Sequence, residues 1–359
     1  MAHAPSAIGP CLTARYFICP VQPNRQTAVT ARLNLDPCPS PHWQWEGHIQ
    51  TIAAMKWGRR PQQPFVRQRL DTPDGDFLDI DWAGPQAYTH AAFNGQALVI
   101  FHGLEGSSQS HYAQAIGAHF VERGWMVAVA HFRGCSGEPN RLARSYFSGD
   151  SQDIDFILNQ MRRQLPQAQW HATGISLGGN ALLKYTGEQG QQLDWLAAVA
   201  GISVPVDLVA TGMRLQTSLM GRYVYTPHFL ASMRGKMQQK ASAFPHDANW
   251  NKALQARTLL EFDDAYTGPV HGYRSAFDYW SRCSSQYHLH AIRVPTLLLI
   301  ARNDPFIPQA GLPAPNQGSK HLLLHYPCSG GHAGFASGSG RGELTWLPQR
   351  LERFFTQHQ

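Results

Sequence analysis

A serine between two glycines carries the clearest chemical signal in this sequence. Residues 174–178 read Gly-Ile-Ser-Leu-Gly, and Ser176 stands between an apolar run typical of a buried strand and a small-residue run that can form a helix. A tight strand-to-helix turn exposes the serine hydroxyl, and it needs the glycines because side chains there would collide with neighbouring backbone. The pattern, which occurs once in the chain, predicts a serine nucleophile.

Two further residues could complete this chemistry. A serine hydroxyl is a weak nucleophile until a histidine takes its proton and a carboxylate orients that histidine. Asp304 follows a strand-like run at 296–301, and His332 lies in a glycine-rich loop after a similar run at 321–326. Since the carboxyl ends of parallel strands share one edge of a sheet, we expect the serine, the acid and the histidine to meet there.

Each of these assignments has a competing interpretation. Ser176 could be an ordinary serine in a tight turn, and Asp207, just after the run at 196–204, is the competing acid. Asp207 could instead cap a helix. His102 follows the apolar run at 97–101, but it lies in the wrong loop for a base, so we expect it to brace that loop.

Backbone amides must also stabilise the oxyanion that forms when the serine attacks. The amide of Leu177 directly follows the nucleophile, and Leu104 lies in the loop after the third predicted strand, so we expect these two amides to form the oxyanion hole. Cys135, in the loop after the fourth strand, is predicted to be a packed thiol. No histidine spacing typical of a metal site and no Gly-x-Gly-x-x-Gly after a strand is present, so no metal or nucleotide cofactor is expected.

Strand and helix patterns alternate around these residues. Runs at 65–70 and 77–82 flank the turn signal Thr-Pro-Asp-Gly-Asp and predict a β-hairpin. Buried strands and amphipathic helices then alternate, which predicts a mostly parallel sheet with helices on both faces. The remaining predicted strands are 97–101, 125–130, 170–175, 196–204, 296–301 and 321–326, and the predicted helices are 110–123, 151–165, 179–185 and 343–355.

Two segments fall outside this alternation. Residues 205–292 contain no clear buried strand, so we predict a helical cap inserted between core segments 41–204 and 293–359. Residues 1–40 lack the apolar segment of a signal peptide and predict a poorly ordered leader, with a transit peptide as the alternative. Eight apolar cap residues could either line an acyl pocket or pack the cap's own core: Met213, Leu215, Met220, Tyr223, Tyr225, Phe229, Leu230 and Met233.

The composition narrows the class of protein. The chain has 359 residues, 43% of them hydrophobic, as in globular proteins. Lysine and arginine exceed the acids by 30 − 24 = 6 without a dense basic run, which does not indicate nucleic-acid binding. No apolar run reaches the roughly 18 residues of a membrane-spanning helix. The six scattered cysteines form no Cys-x-x-Cys motif and favour reduced thiols in the cytoplasm, while the oligomeric state stays open.

Longer motifs point to a particular family. Residues 131–141 read His-Phe-Arg-Gly-Cys-Ser-Gly-Glu-Pro-Asn-Arg, and from about Gly47 to Phe355 the sequence resembles the YheT-like family of α/β-hydrolases. These are bacterial carboxylesterases related to eukaryotic lipid esterases and ethanol acyltransferases. The resemblance implies an α/β-hydrolase fold and a triad of Ser176, Asp304 and His332. Further matching motifs lie at 48–51, 73–77, 101–107, 176–180, 262–264, 271–273, 303–306 and 330–335.

The sequence departs from that family at two places. Residues 46–47 are Glu-Gly where the family usually has Asn-Pro, and Phe147 stands where it usually has histidine. Neither position belongs to the triad that the resemblance implies.

Three functions are consistent with these residues. The first is a serine carboxylesterase that hydrolyses short- to medium-chain acyl esters through an acyl-enzyme. The second is an acyltransferase that passes the acyl group to an alcohol, and the third is a non-catalytic binding protein on a hydrolase scaffold. The expected partner is a small ester or lipid-like substrate, with no nucleic acid and no stable membrane insertion.

Overall fold

A twisted sheet forms the centre of the protein, for which a computed structural model describes residues 30–85 and 92–358. Within these residues, the strands are β1 (Arg32–Asn34), β2 (Val66–Asp71), β3 (Phe77–Ala83), β4 (Gln96–Phe101), β5 (Met126–His131), β6 (Gln169–Ile175), β7 (Leu196–Ile202), β8 (Thr296–Leu299) and β9 (Leu322–His325). Their order is β1-β9-β8-β7-β6-β4-β5-β3-β2, and β3 is antiparallel to both of its neighbours. The other pairs are parallel, so the loops that follow β4, β6, β8 and β9 share one rim.

Helices lie on both faces of the sheet and beyond its rim. Among the described residues they are α1 (Gly47–Trp57), α2 (His111–Glu122), α3 (Ser151–Gln164), α4 (Leu177–Gln189), α5 (Leu208–Thr217), α6 (Thr226–Ala243), α7 (Trp250–Gln255), α8 (Leu259–Phe262), α9 (Gly268–Val270), α10 (Ala276–Cys283) and α11 (Trp346–Phe355). Helices α3 and α4 pack against one face with Val99 and Phe101, and α2 and α11 pack against the other with Leu98 and Ile100. Successive residues of β4 thus enter opposite cores, as the alternation of side chains along a strand requires.

The predicted α/β-hydrolase fold is confirmed. The hairpin is the antiparallel pair β2–β3, and every predicted strand and helix is present with bounds that differ by a few residues. Residues 205–292 form α5 to α10, together with two π-helical turns at Gly221–Tyr225 and Asp263–Thr267, and this fully described segment contains no strand. We call residues 205–292 the cap. It has its own apolar cluster, which includes Leu230, Trp250 and Phe262.

The sequence interpretation of the N-terminal region needs a correction. Residues 1–29 of the predicted leader lie outside the described residues, but residues 32–34 form β1 and pair in parallel with β9. Ala31 and Cys38 are buried beside that strand. The core therefore begins before residue 41. Strand β1 pairs with the edge of β9, which would otherwise leave its backbone groups unpaired. A strand of only three residues shows no alternation in the sequence, so it could not be predicted.

Helix α1 was not predicted at all. Its buried residues are Gly47, Gln50, Ala53 and Ala54, while Trp57 and Met55 are exposed, so no apolar face repeats along it. Hydrophobic periodicity is the main sequence signal for a helix, so a helix without an apolar face cannot be predicted from it. Helix α1 is held in place by its tertiary contacts.

Candidate active site

Ser176 occupies the tight turn between β6 and α4. Its backbone has φ +51° and ψ −119°, a conformation that L-residues rarely adopt. The flanking glycines are sterically required. A Cβ on Gly174 would lie 2.6 Å from the carbonyl oxygen of Gly178, and one on Gly178 would lie 2.3 Å from the carbonyl oxygen of His102. The turn therefore holds the serine hydroxyl at the rim of the sheet, as the sequence predicts.

The structure brings Ser176, His332 and Asp304 into one chain of hydrogen bonds. His332 Nε2 lies 2.9 Å from Ser176 Oγ, and His332 Nδ1 lies 2.9 Å and 3.1 Å from the two carboxylate oxygens of Asp304. A carboxylate can only accept, so Nδ1 carries the proton and Nε2 is free to accept from the serine hydroxyl. Asp304 is buried, and its Oδ1 also accepts from the Phe306 amide at 2.9 Å.

The competing acid, Asp207, does something else. Its side chain accepts a hydrogen bond of 3.0 Å from the Ala210 amide and caps the N-terminus of α5. This contact matches the alternative that the sequence offers for Asp207. Since Asp304 occupies Nδ1 of His332, the geometry leaves Asp207 no place beside the histidine.

The backbone around Leu104 leaves a single amide available. The Gly103 amide donates to the Tyr112 hydroxyl and the Glu105 amide donates to the Tyr146 hydroxyl, both at 2.9 Å. Between them, the Leu104 amide donates to no acceptor in the described part of the chain, and the same holds for the Leu177 amide at the start of α4. Two unpaired amides beside a serine, one of them at a helix N-terminus, can stabilise a negatively charged oxygen.

His102 braces the loop that carries Leu104. Its Nε2 accepts from the Phe132 amide at 3.0 Å, so Nδ1 carries the proton and donates to the Gly103 carbonyl at 2.8 Å. Complete burial lowers the pKa of His102 to about 3, which keeps the ring neutral. Burial raises the pKa of the Cys135 thiol to about 12, which disfavours the reactive thiolate. These positions agree with a bracing histidine and a packed cysteine.

Helix α1 connects the two loops that hold the acid and the histidine. Gln50 Oε1 accepts from the Asn303 side chain at 2.9 Å and from the Gly330 amide at 2.8 Å. Thr51 Oγ1 accepts from the His332 amide at 2.9 Å. This role was not predicted from the sequence, although the adjacent glutamine and threonine of the motif at 48–51 are a signal that could have indicated it.

An apolar cavity, partly open to solvent, lies above Ser176, between the core and the cap. Both Ser176 and His332 lie on its wall. Of the eight cap residues proposed as a pocket, Leu215, Phe229 and Met233 line it. Leu230 packs in the cap's own core, Tyr225 contacts His48 and Phe306, Met220 packs against the main core, and Met213 and Tyr223 are exposed. Three of the eight residues thus line the cavity, Leu230 packs in the cap's own core, and Met233 contacts both.

None of the helices in residues 30–85 and 92–358 is long and apolar enough to cross a membrane. The same residues contain no cluster of three or more His, Cys, Asp or Glu side chains that could hold a metal ion.

Known proteins match this sequence over most of its length. The family model for the alpha/beta hydrolase fold matches residues 96–338. The YheT protein of Escherichia coli (strain K12) is 36% identical over 313 residues, which cover 87% of this chain and 90% of that protein. Phospholipase ABHD3 of Mus musculus is 25% identical over 87% of this chain and 76% of its own, and the monoacylglycerol lipase of Saccharomyces cerevisiae (strain ATCC 204508 / S288c) is 28% identical over 79% and 61%.

A solved structure agrees on the fold. The Pyrococcus furiosus esterase Pf2001 superposes with a TM-score of 0.51 at 13% sequence identity, covering 84% of this chain and 98% of that one. By these matches, the chain belongs to the YheT-like family of α/β-hydrolases.

Proposed function

We propose that this protein is a serine carboxylesterase whose catalytic residues are Ser176, His332 and Asp304. The observation that carries the proposal is the continuous hydrogen-bond chain from Ser176 Oγ through the His332 ring to a buried carboxylate, on the wall of an apolar cavity. The relatives named as a phospholipase and a monoacylglycerol lipase support an ester of an acyl chain as the substrate.

The reaction follows from this geometry. His332 Nε2 takes the hydroxyl proton as Ser176 Oγ attacks the ester carbonyl, and Asp304 holds the ring and stabilises its positive charge. The Leu104 and Leu177 amides would donate to the oxyanion of the tetrahedral intermediate. His332 then gives its proton to the leaving alcohol, which leaves an acyl-enzyme on Ser176. A water molecule then attacks this ester while His332 takes its proton, and the bond to Ser176 Oγ breaks as His332 returns that proton to the serine and the acid leaves.

The cavity indicates the substrate class. Its wall between the core and the cap carries Leu208, Leu215, Phe229, Met233 and Phe306, which suit a short- or medium-chain acyl group. Burial of each methylene of such a chain contributes about 0.8 kcal/mol, so chain length should govern affinity up to the point where the cavity is filled. We further propose that residues 205–292 act as the cap that encloses this chain. A cytoplasmic location stays a prediction from the cysteine pattern.

Acyl transfer is the second candidate. The cap covers the nucleophile with mostly apolar side chains, and an alcohol partitions into such surroundings more readily than water does. The acyl-enzyme would then pass its acyl group to the alcohol by the same general-base step. Product analysis with added ethanol separates the two, because transfer yields ethyl esters and hydrolysis yields free acid alone.

Steady-state hydrolysis of p-nitrophenyl esters from acetate to laurate tests the proposed function. We expect wild-type protein to hydrolyse several of them and the Ser176→Ala variant to lose roughly 10⁵-fold or more of kcat. A folded wild-type protein that hydrolyses none of these esters would instead favour the third possibility, a binding protein on a hydrolase scaffold.

A further inference from the structure

A buried hydroxyl in the cap half of the cavity has no partner. Thr211 lies on α5, is 8% exposed, and lines the cavity. Its Oγ1 makes no hydrogen bond to any of the described residues. A buried polar atom without a partner is costly in folded proteins, so the Thr211 hydroxyl, beside the cavity, is available to a ligand group that could complete it.

A carboxylate shares this part of the wall. Asp263 also lines the cavity, and its Oδ2 accepts a hydrogen bond of 2.7 Å from the Trp280 indole. Asp263 is half-buried, it lies on the cavity lining, and burial raises its pKa to about 6. The Thr267 side chain also hydrogen-bonds Asp263 and lowers its pKa, whereas the neighbouring Asp264 carboxylate raises it. A carboxylate has about four lone-pair sites, so Asp263 can accept a further hydrogen bond beside those from Trp280 and Thr267.

The two groups belong to one packed unit of the cap. Gly212, the neighbour of Thr211, packs so closely on the Trp280 ring that a Cβ there would lie 2.7 Å from it. Trp280 is the residue that donates to Asp263, so α5 and the turn at Asp263–Thr267 meet at the same indole ring. Ser176 and His332, by contrast, belong to the core side of the cavity.

We propose that Thr211 and Asp263 form a subsite in the cap that recognises a hydroxyl group of the substrate. This inference builds on the proposed ester hydrolysis and adds a polar requirement to an otherwise apolar cavity. A substrate hydroxyl can donate to the Asp263 carboxylate and accept from, or donate to, the Thr211 hydroxyl. A neutral hydroxyl suits the site better than an ammonium group, because an ammonium group would lose far more hydration in these apolar surroundings.

The hydroxyl could belong to either half of an ester. It could stand at the far end of the acyl chain, or it could belong to the alcohol that leaves when Ser176 is acylated. Both cases share the same contacts with Thr211 and Asp263. The kinetic test therefore uses two matched substrate pairs: p-nitrophenyl octanoate against its ω-hydroxy derivative, and ethyl octanoate against 2-hydroxyethyl octanoate.

The quantity to measure is the ratio of kcat/KM for the hydroxylated ester to that for its parent. We expect wild-type protein to favour the hydroxylated member of one pair by roughly five- to tenfold, as one additional hydrogen bond would give. The isosteric variant Thr211→Val should bring that ratio close to one, Asp263→Asn should lower it, and Thr211→Ser should keep it. Thr217→Val is the matched control, because Thr217 lies exposed on the same helix and the ratio should stay at the wild-type value.

A binding measurement keeps the subsite testable without turnover. Calorimetry compares 2-decanone, which resembles an ester but cannot be hydrolysed, with derivatives hydroxylated beside the carbonyl and at the far end of the chain. One hydroxylated ketone should bind wild-type protein several-fold more tightly than 2-decanone, and Thr211→Val should remove the difference. If neither derivative binds more tightly, or if the preference survives in Thr211→Val, the subsite is overturned. Absent hydrolysis together with the expected binding would overturn the proposed function alone.

Discussion

The ring of Phe306 stacks on the imidazole of His332, with their centroids 4.1 Å apart and their planes 24° apart. Tyr225 in turn packs edge-on against Phe306 at 4.6 Å. The histidine is thus held by Asp304 at one nitrogen and by an aromatic face along its ring, so that its free Nε2 points to Ser176.

We expect Phe306→Ala to lower kcat roughly tenfold, because the imidazole would gain freedom to rotate away from Ser176. The conservative variant Phe306→Tyr keeps an aromatic face and should restore most of the rate. The assay is p-nitrophenyl acetate hydrolysis, since this small ester depends least on the cavity wall that Phe306 also lines. An unchanged kcat in Phe306→Ala would mean that Asp304 alone orients the ring.

We expect Gln50 to affect both stability and kcat although it touches no substrate. In Gln50→Leu, the Gly330 amide and the Asn303 side chain lose their shared acceptor, which we expect to lower the free energy of unfolding by about 2 kcal/mol. Because these contacts connect the acid loop to the histidine loop, kcat should also fall, by roughly 10- to 100-fold. Denaturant titration and ester hydrolysis measure the two effects. The exposed Gln239 on α6 supplies the control Gln239→Leu, and equal behaviour of both variants would contradict this role.

Substitution of the two candidate acids should affect kcat differently. Asp304→Asn should keep the fold but lower kcat by roughly 10³- to 10⁴-fold, since an asparagine would donate to Nδ1 and leave the proton on the wrong nitrogen. Asp207→Asn should change kcat little, because asparagine caps a helix about as well as aspartate. Both variants are compared on one chromogenic ester. A greater loss in Asp207→Asn would show that the acid is assigned wrongly while leaving the Ser176–His332 pair intact.

His171 makes stability depend on pH. Its ring lies between Trp125 and Phe355, each 4.9 Å away, and burial lowers its pKa from the usual 6.5 to about 4. The unfolded chain therefore takes up a proton at a higher pH than the folded chain does, so the His171 contribution to stability is lost as the pH falls from about 6.5 towards 4.

The variant His171→Leu lacks this titration. We expect its free energy of unfolding, relative to wild type, to rise by roughly 1 to 2 kcal/mol between pH 7 and pH 5. Urea titrations of both proteins at the two pH values measure that difference directly, and the other titrating groups cancel in the comparison. A difference that stays constant with pH would contradict a neutral, buried His171.

The arrangement of Ser176, Asp304 and His332 could be predicted from the sequence because each follows an apolar run at a strand end. Strand direction and connection order then leave few ways to fold such a chain. Only glycine fits at positions 174 and 178, so the tight turn around Ser176 could be predicted from the two glycines in the sequence.

Other parts of the site could not be predicted in this way. The role of Gln50 depends on tertiary packing of α1 between two distant loops, and no periodic pattern encodes it. Strand β1 is too short to show alternation, and it forms because the edge of β9 needs a partner. Which cap residues reach the cavity depends on how short helices pack, so Phe229 and Leu230, adjacent in sequence, serve the cavity and the cap core respectively.

Covalent labelling with a fluorophosphonate, mapped by mass spectrometry of peptides, tests the central claim most directly, because such probes react only with an activated serine. We predict a single adduct on the peptide that contains Ser176, no adduct in Ser176→Ala, and much slower labelling in His332→Ala. No labelling of the folded wild-type protein, or an adduct that persists in Ser176→Ala, would contradict the assignment of Ser176 as the nucleophile.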